Sequence, residues 1–154
     1  FADDLGSQDS LLISPEMYRR FIKPRHARMV EEIKKYGCRV LFHSCGAVSP
    51  ILEDFIEIGI DALNPVQISA AGMDPVELKS RFGGRIVFWG GGVDTQVVLP
   101  TASPGQVKDE VQRNMELFKQ GGGYVFAQVH NIQPDVPVGN VIAMYEAYRE
   151  NASY

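Results

Sequence analysis

The chain has 154 residues, 45% hydrophobic and 22% charged, with 15 glycines and 9 prolines, the composition of an ordinary folded domain rather than of a disordered or collagenous chain. Nineteen acidic against 15 basic residues leave a net charge of -4, so there is no basic surplus to neutralise a phosphate backbone, and nucleic acid is not the expected partner. No apolar run reaches the roughly 20 residues of a membrane helix, residues 1–20 carry no basic start followed by an apolar stretch, and Cys38 and Cys45 are too few for a disulfide framework. The expected setting is a reducing, cytoplasmic one, with a small molecule or a protein as partner.

The first residues, FADDLG, begin without an initiator methionine and read as the end of a strand, so a fragment is expected. Ser14-Pro15 then predicts a helix start, because the cap oxygen accepts an orphan N–H and the proline ring pre-sets φ where no N–H is needed. Pro24 interrupts the long stretch from Pro15 to Tyr36, which predicts a kink or two helices. The run 39–43 (RVLFH) reads as a strand, Ser49-Pro50 as the next helix start, and 61–64 (DALN) as the next strand. Asp74-Pro75, with Glu77 three residues on as in a capping box, opens a further helix. Strand 85–89 (RIVFW) is followed by a start at Ser103-Pro104, whose helix carries the stripe Val107, Val111, Met115 and Phe118. Strand 124–129 (YVFAQV) leads to a weaker start at Pro137, where Val136 cannot cap.

These strands are continuous apolar runs rather than alternating ones, the pattern of strands covered on both faces by helices. Five strand-then-helix units, the first lacking its beginning, imply a parallel sheet. The Gly90-Gly91-Gly92 cluster is followed by Val93-Asp94-Thr95 rather than by a further glycine opening a helix, against a dinucleotide fold. About 31 residues per unit matches a (β/α)8 TIM barrel of ~250 residues. The expected fold class is therefore α/β, with residues 1–154 the C-terminal five βα units of such a barrel and a single partial domain.

Polar residues gather after each strand and before each helix: Asp3-Asp4, His43 to Gly46, Asn64 with Gln67, Gly91 to Asp94, and Gln128, His130 and Asn131. Parallel strands put these ends on one face, where such sheets hold their sites. His43 and Cys45, at strand spacing of two, point the same way and offer an imidazole and a thiolate to a metal. A catalytic zinc site needs a third protein ligand; His130 is the first candidate, and Asp3, Asp4 or Asp94 the others. Asn64, Gln67, Asp94 and Gln128 are candidate substrate contacts. The Asp3-Asp4 pair reads equally as a substrate clamp or a loop anchor. Elsewhere, Cys38 is expected as a buried small hydrophobe, His26 as a solvated member of a basic helix face, Met17, Met29, Met115 and Met144 as core or helix filler, and Trp89 as barrel packing.

FHSCG, together with FADDLG…ISPEMYRRFIKP, WGGGVDTQ and VHNIQPDVPVGNV, resembles the uroporphyrinogen decarboxylase superfamily over essentially the whole chain. The resemblance implies a (β/α)8 barrel and one of two activities. One branch decarboxylates uroporphyrinogen without metal or cofactor; the other uses zinc to activate a thiol or related acceptor and exchanges a methyl group with a corrinoid (cobalamin) protein. Methyltransferases of the family carry the His-x-Cys-Gly that stands here at His43 to Gly46, which favours that branch, with zinc held by His43, Cys45 and His130. They place a Cys where this chain has His130, while decarboxylases have a substrate-contacting His in a similar loop. Asp3 and Asp4 fall where decarboxylases line the substrate cleft, so Asp3, Asp4 and His130 are the expected catalytic residues. The implied partners are a small-molecule substrate, a corrinoid protein, and either the missing N-terminal barrel segment or a second copy. The rival from another class is a non-catalytic barrel fragment whose open sheet edges serve assembly.

Overall fold

The computed structural model describes residues 1–153. Strands β1 (Leu41–His43), β2 (Ala62–Asn64), β3 (Val87–Trp89) and β4 (Tyr124–Val125) form a parallel sheet in chain order. In register, Phe42 lies beside Leu63 and Leu63 beside Phe88. The N-terminal segment adds a fifth parallel rank. Ala2 bridges His43, the His43 N–H donates to the Phe1 carbonyl at 2.9 Å, and the Asp3 N–H donates to the His43 carbonyl at 3.0 Å. Each rank neighbours the next in sequence, with no reversal of order. A doubly wound sheet reverses at its switch point, whereas consecutive parallel order is barrel geometry. The chain thus has the five βα units expected of a partial (β/α)8 barrel.

Alternation along the strands sorts their side chains. Phe42, Leu63 and Phe88 are fully buried and meet the helix layer, Phe42 against Phe55 at 4.9 Å between ring centroids and Phe88 against Phe118 at 5.5 Å. Burying each such ring stabilises the fold by roughly 1.5–3 kcal/mol. The alternate residues, His43, Asn64 and Trp89, face the other way. Trp89, expected as packing, is 38% exposed there.

The helices are α1 (Pro15–Met17), α2 (Lys23–Lys34), α3 (Leu52–Glu57), α4 (Pro75–Phe82), α5 (Val98–Thr101), α6 (Pro104–Phe118) and α7 (Val138–Asn151). Ser14 caps α1, Asp74 accepts from Val76 and Glu77 at the start of α4, and Ser103 with Gln106 forms a reciprocal capping box on α6. Ser49 does not cap: a 3-10 turn at Ser49–Ile51 begins one residue earlier than expected, after Val48. Pro137 precedes α7 without a side-chain cap, as Val136 and Pro137 require. The expected kink is a π-helical turn, Tyr18–Ile22, between α1 and α2, just before Pro24, whose missing N–H and ring disrupt the regular helical ladder.

Strand β4 is shorter than the six-residue run that encodes it. Its neighbour leaves strand geometry at Gly90, which has φ +108°, so pairing continues only as separate bonds, Gly92 N–H to the Ala127 carbonyl at 2.8 Å and Val129 N–H to the Val93 carbonyl at 3.0 Å. Val107, Val111, Met115 and Phe118 are buried, as their spacing predicts, and so is Met144; Met17 and Met29 are about half exposed. Cys38 is exposed rather than buried, because it lies in the loop ahead of β1. His26 is 4% exposed rather than solvated, lying among Phe1, Tyr18 and Phe42. Among the described residues no helix is long and apolar enough to cross a membrane.

Candidate metal centre

His43 is the last residue of β1, and Cys45 follows two residues on. Backbone contact holds this turn closely against the N-terminal segment. At Gly46, which has φ +85°, a Cβ would stand 2.5 Å from the Gly6 carbonyl carbon and the Ser7 carbonyl oxygen, so only glycine lets the two segments meet. Beneath them the buried Ser44 hydroxyl accepts the Leu5 N–H at 3.0 Å. The Gly46 N–H donates to Gln67 Oε1 at 2.8 Å, and the Gln67 amide donates to Gln8 Oε1 at 2.7 Å.

The resulting constellation brings Asp4, His43 and Cys45 together, with one ligand atom from each lying within 4.8 Å of the others. His43 Nδ1 sits 2.8 Å from Asn64 Oδ1, while the Asn64 amide donates to the Trp89 carbonyl at 3.3 Å. Because Asn64 Oδ1 can only accept, the network assigns the proton to Nδ1 and leaves the Nε2 lone pair to accept from the Cys45 thiol. That lone pair lies 3.6 Å from Cys45 Sγ and 4.0 Å from Asp4 Oδ1. An outer partner that orients a histidine in this way is how proteins prepare the ring for a metal. Asp4 Oδ1 also accepts the Cys45 N–H at 2.9 Å. Burial, reinforced by the Asp4 carboxylate, pushes the Cys45 thiol up to about 11.

Nitrogen, sulfur and carboxylate donors suit zinc, and tetrahedral bonds of 2.0–2.3 Å place ligand atoms about 3.5 Å apart. The His43–Cys45 separation fits that spacing, and Asp4 needs only a small approach. The residues present therefore fit a zinc ion with a fourth position open.

The other expected site residues divide. His130 is exposed and lies outside the set of mutually close donors. The chain past β4 runs alongside Gly90 to Val93, burying Val129 and sending His130 outward. His130 nevertheless shares with Cys45 a cavity of about 360 Å³ lined also by Gln67, Thr95, Gln96 and Asn131. Gln128 does not line that cavity. Asn64 serves His43. Asp94 is buried and spends Oδ1 on the N–H groups of Gln96, Val97 and Val98 at 2.6–3.3 Å. It turns the chain toward α5, and its successors Thr95 and Gln96 reach the cavity instead. Asp3 points away from Asp4, with Oδ2 3.1 Å from His26 Nε2 in the helix layer.

Two polar residues escaped the sequence reading. Glu110 Oε1 accepts the Asp94 N–H at 2.9 Å, and the Asn114 amide donates to the Gly92 carbonyl at 3.3 Å, both from buried positions on α6 beneath the Gly91–Asp94 loop. Burial raises the Glu110 carboxyl above its ordinary value. Their spacing was a usable signal, since residues 110 and 114 continue the stripe begun at Val107 and Val111.

Residues 3–151 match the family model for uroporphyrinogen decarboxylase (URO-D). The chain is 29% identical over 148 residues to a uroporphyrinogen decarboxylase of Thermus thermophilus, covering 92% of this chain and 39% of that protein. It is also 29% identical over 144 residues to a methylated-thiol–coenzyme M methyltransferase of Methanosarcina mazei, covering 94% of this chain and 36% of that protein. Among solved structures, a methyltransferase from Methanosarcina mazei superposes with a TM-score of 0.76 at 26% identity, over 99% of this chain and 42% of that one. The chain thus spans about two fifths of the length of these relatives, which fits the partial barrel. Sequence match and barrel topology agree: the chain belongs to the uroporphyrinogen decarboxylase (URO-D) family.

Proposed function

We propose that this chain carries the zinc centre of a methyltransferase that moves a methyl group between a small thiol or related substrate and a corrinoid protein. The observation that carries the reading is the convergence of Asp4, His43 and Cys45, with His43 Nε2 left unprotonated by the Asn64 contact. His43 and Cys45 are the first two ligands. Asp4 is the third where the chain now stands, and His130, facing Cys45 across the shared cavity, is the alternative third ligand.

Zinc, when bound, supplies Lewis acidity that lowers the pKa of a coordinated thiol, so that the nucleophilic thiolate exists at neutral pH. The protein's own groups prepare for this. A Cys45 thiol pushed up to about 11 holds its proton at neutral pH and releases it on metal binding, so occupation and deprotonation are linked. Asn64 keeps the His43 ring turned toward the centre. Thr95, Gln96 and Asn131 offer hydroxyl and amide groups to orient a substrate entering past Cys45.

A second reading is a cofactor-free decarboxylase, favoured by the equal 29% identity to the Thermus thermophilus enzyme. There His130 and the acidic residues would position pyrrole nitrogens and carboxylates. In either case the remaining barrel units or a second copy would cover the open edges at the N-terminal segment and β4; a fragment acting only in assembly is the non-catalytic rival.

Elemental analysis of the purified chain after exposure to zinc separates these readings. The methyltransferase reading expects about one zinc per chain, lost in Cys45→Ala. No zinc in the parent chain would sink the centre and favour decarboxylase-like chemistry.

A further inference from the structure

We propose that His26, a buried side chain of α2 with no hydrogen bond to Asp4, His43 or Cys45, is a positioning residue for the metal centre: through Asp3 it holds the strand end that carries Asp4. The inference rests on the zinc-centre reading.

Asp3 and Asp4 are consecutive residues of an extended chain, so their side chains leave opposite faces. A slip of one residue would exchange them, presenting Asp3 to the centre and Asp4 to the helices. Backbone pairing with β1 sets the register on one side, through the Asp3 N–H to the His43 carbonyl at 3.0 Å. His26 sets it on the other. Its Nε2 lies 3.1 Å from Asp3 Oδ2, the only side-chain partner of Asp3 among the described residues. As a carboxylate can only accept, Nε2 carries the proton, and Nδ1 accepts from the Tyr18 hydroxyl at 3.4 Å. Phe1, Phe42 and Tyr18 stand around the ring with centroids 5.5, 5.1 and 5.9 Å away. The imidazole is therefore satisfied at both nitrogens and enclosed, a rigid anchor for a carboxylate whose side chain is otherwise 48% exposed.

One short path then links the helix layer to the centre. His26 holds Asp3, the Asp3 N–H holds the carbonyl of His43, and the next residue, Asp4, accepts the N–H of Cys45. All three candidate donors thus depend on the position of this strand end.

Cobalt(II), added alone to the chain, is the probe, because its visible bands report the geometry of the coordinated set and its near-ultraviolet band reports a thiolate bond. His26→Leu is expected to weaken cobalt binding by about ten- to a hundredfold and to change the visible bands, with an unchanged far-ultraviolet circular dichroism spectrum. His26→Gln, which keeps a donor toward Asp3, should stay within about threefold of the parent and keep its bands. Asp3→Ala should mimic His26→Leu, and the double variant should lose no more than either, since both act through one contact. Should His26→Leu not fold, His26→Gln and Asp3→Ala carry the comparison. Unchanged bands and affinity in His26→Leu or in Asp3→Ala, or losses that add in the double variant, would overturn the proposal while leaving the metal centre standing. A parent chain that binds no cobalt or zinc overturns both.

Discussion

At the scale of single residues, a hydrogen-bond partner decides what each histidine can do. Asn64 leaves His43 Nε2 unprotonated and turned to Cys45 at the mouth of β1, whereas Asp3 and Tyr18 occupy both nitrogens of His26. Burial drives the His26 pKa below its ordinary value, and the Asp3 carboxylate offsets this only in part. In the unfolded chain the ring titrates near 6.5, so the unfolded state takes up a proton first as the pH falls. The stability contributed by the neutral ring is full above about 6.5 and is lost as the pH drops toward and through the lower folded value. Urea midpoints measured from pH 7.5 down to 5 should therefore fall more steeply for the parent than for His26→Gln, and parallel slopes would refute this. The burial of His26 was legible in principle, since Ile22, His26, Val30 and Ile33 follow helical spacing. The adjacent arginines Arg25 and Arg28 drew attention to the wrong face. Cys38 could not be read this way, because exposure in a loop leaves no periodicity to read.

At the scale of elements, capping geometry separates dipeptides that look alike in sequence. Ser103 exchanges bonds with Gln106 at the start of α6, whose 15 residues pack against both α4 and α7. Ser49, also followed by proline, caps nothing. Ser103→Ala should cost about 1 kcal/mol of unfolding free energy, and Ser49→Ala should stay within about 0.5 kcal/mol, both measured by urea denaturation; similar losses would show that the serine–proline pair alone decides. Local chemistry thus revealed where most helices start, because a cap acts within three residues. It revealed less about where strands end, because the early end of β4 follows from Gly90 on its neighbour, and pairing between distant segments decides it. Asp94 shows the same limit: its position after a strand suggested substrate contact, yet its Oδ1 holds the turn into α5.

At the scale of the whole molecule, alternation of apolar runs with proline-started helices was enough to read a parallel barrel segment, since that order admits few sheets. The same reasoning singled out His43 and Cys45 as candidate ligands, since they share one strand end. It chose His130 over Asp4 as the leading third ligand, because only the spatial order of the strands shows that the N-terminal segment lies directly beside β1. That adjacency has a thermodynamic consequence. The candidate donors come from two segments about 40 residues apart in sequence, Asp4 on one and His43 with Cys45 on the other, so an ion bound among them cross-links the edge rank to the sheet. A ligand that binds only the folded chain stabilises it by RT ln(1 + [L]/Kd), about 2.7 kcal/mol at a hundredfold excess over Kd. For a chain of this size that corresponds to a rise of roughly 5–10 °C in melting temperature. Zinc at that excess should raise the parent's melting temperature by this amount, and a chelator should reverse it. Cys38→Ala, which alters an exposed thiol remote from the site, should respond like the parent, while Cys45→Ala and Asp4→Ala should respond weakly or not at all. If Asp4→Ala responds fully and His130→Ala does not, the third ligand is His130, and the loop after β4 closes over the metal.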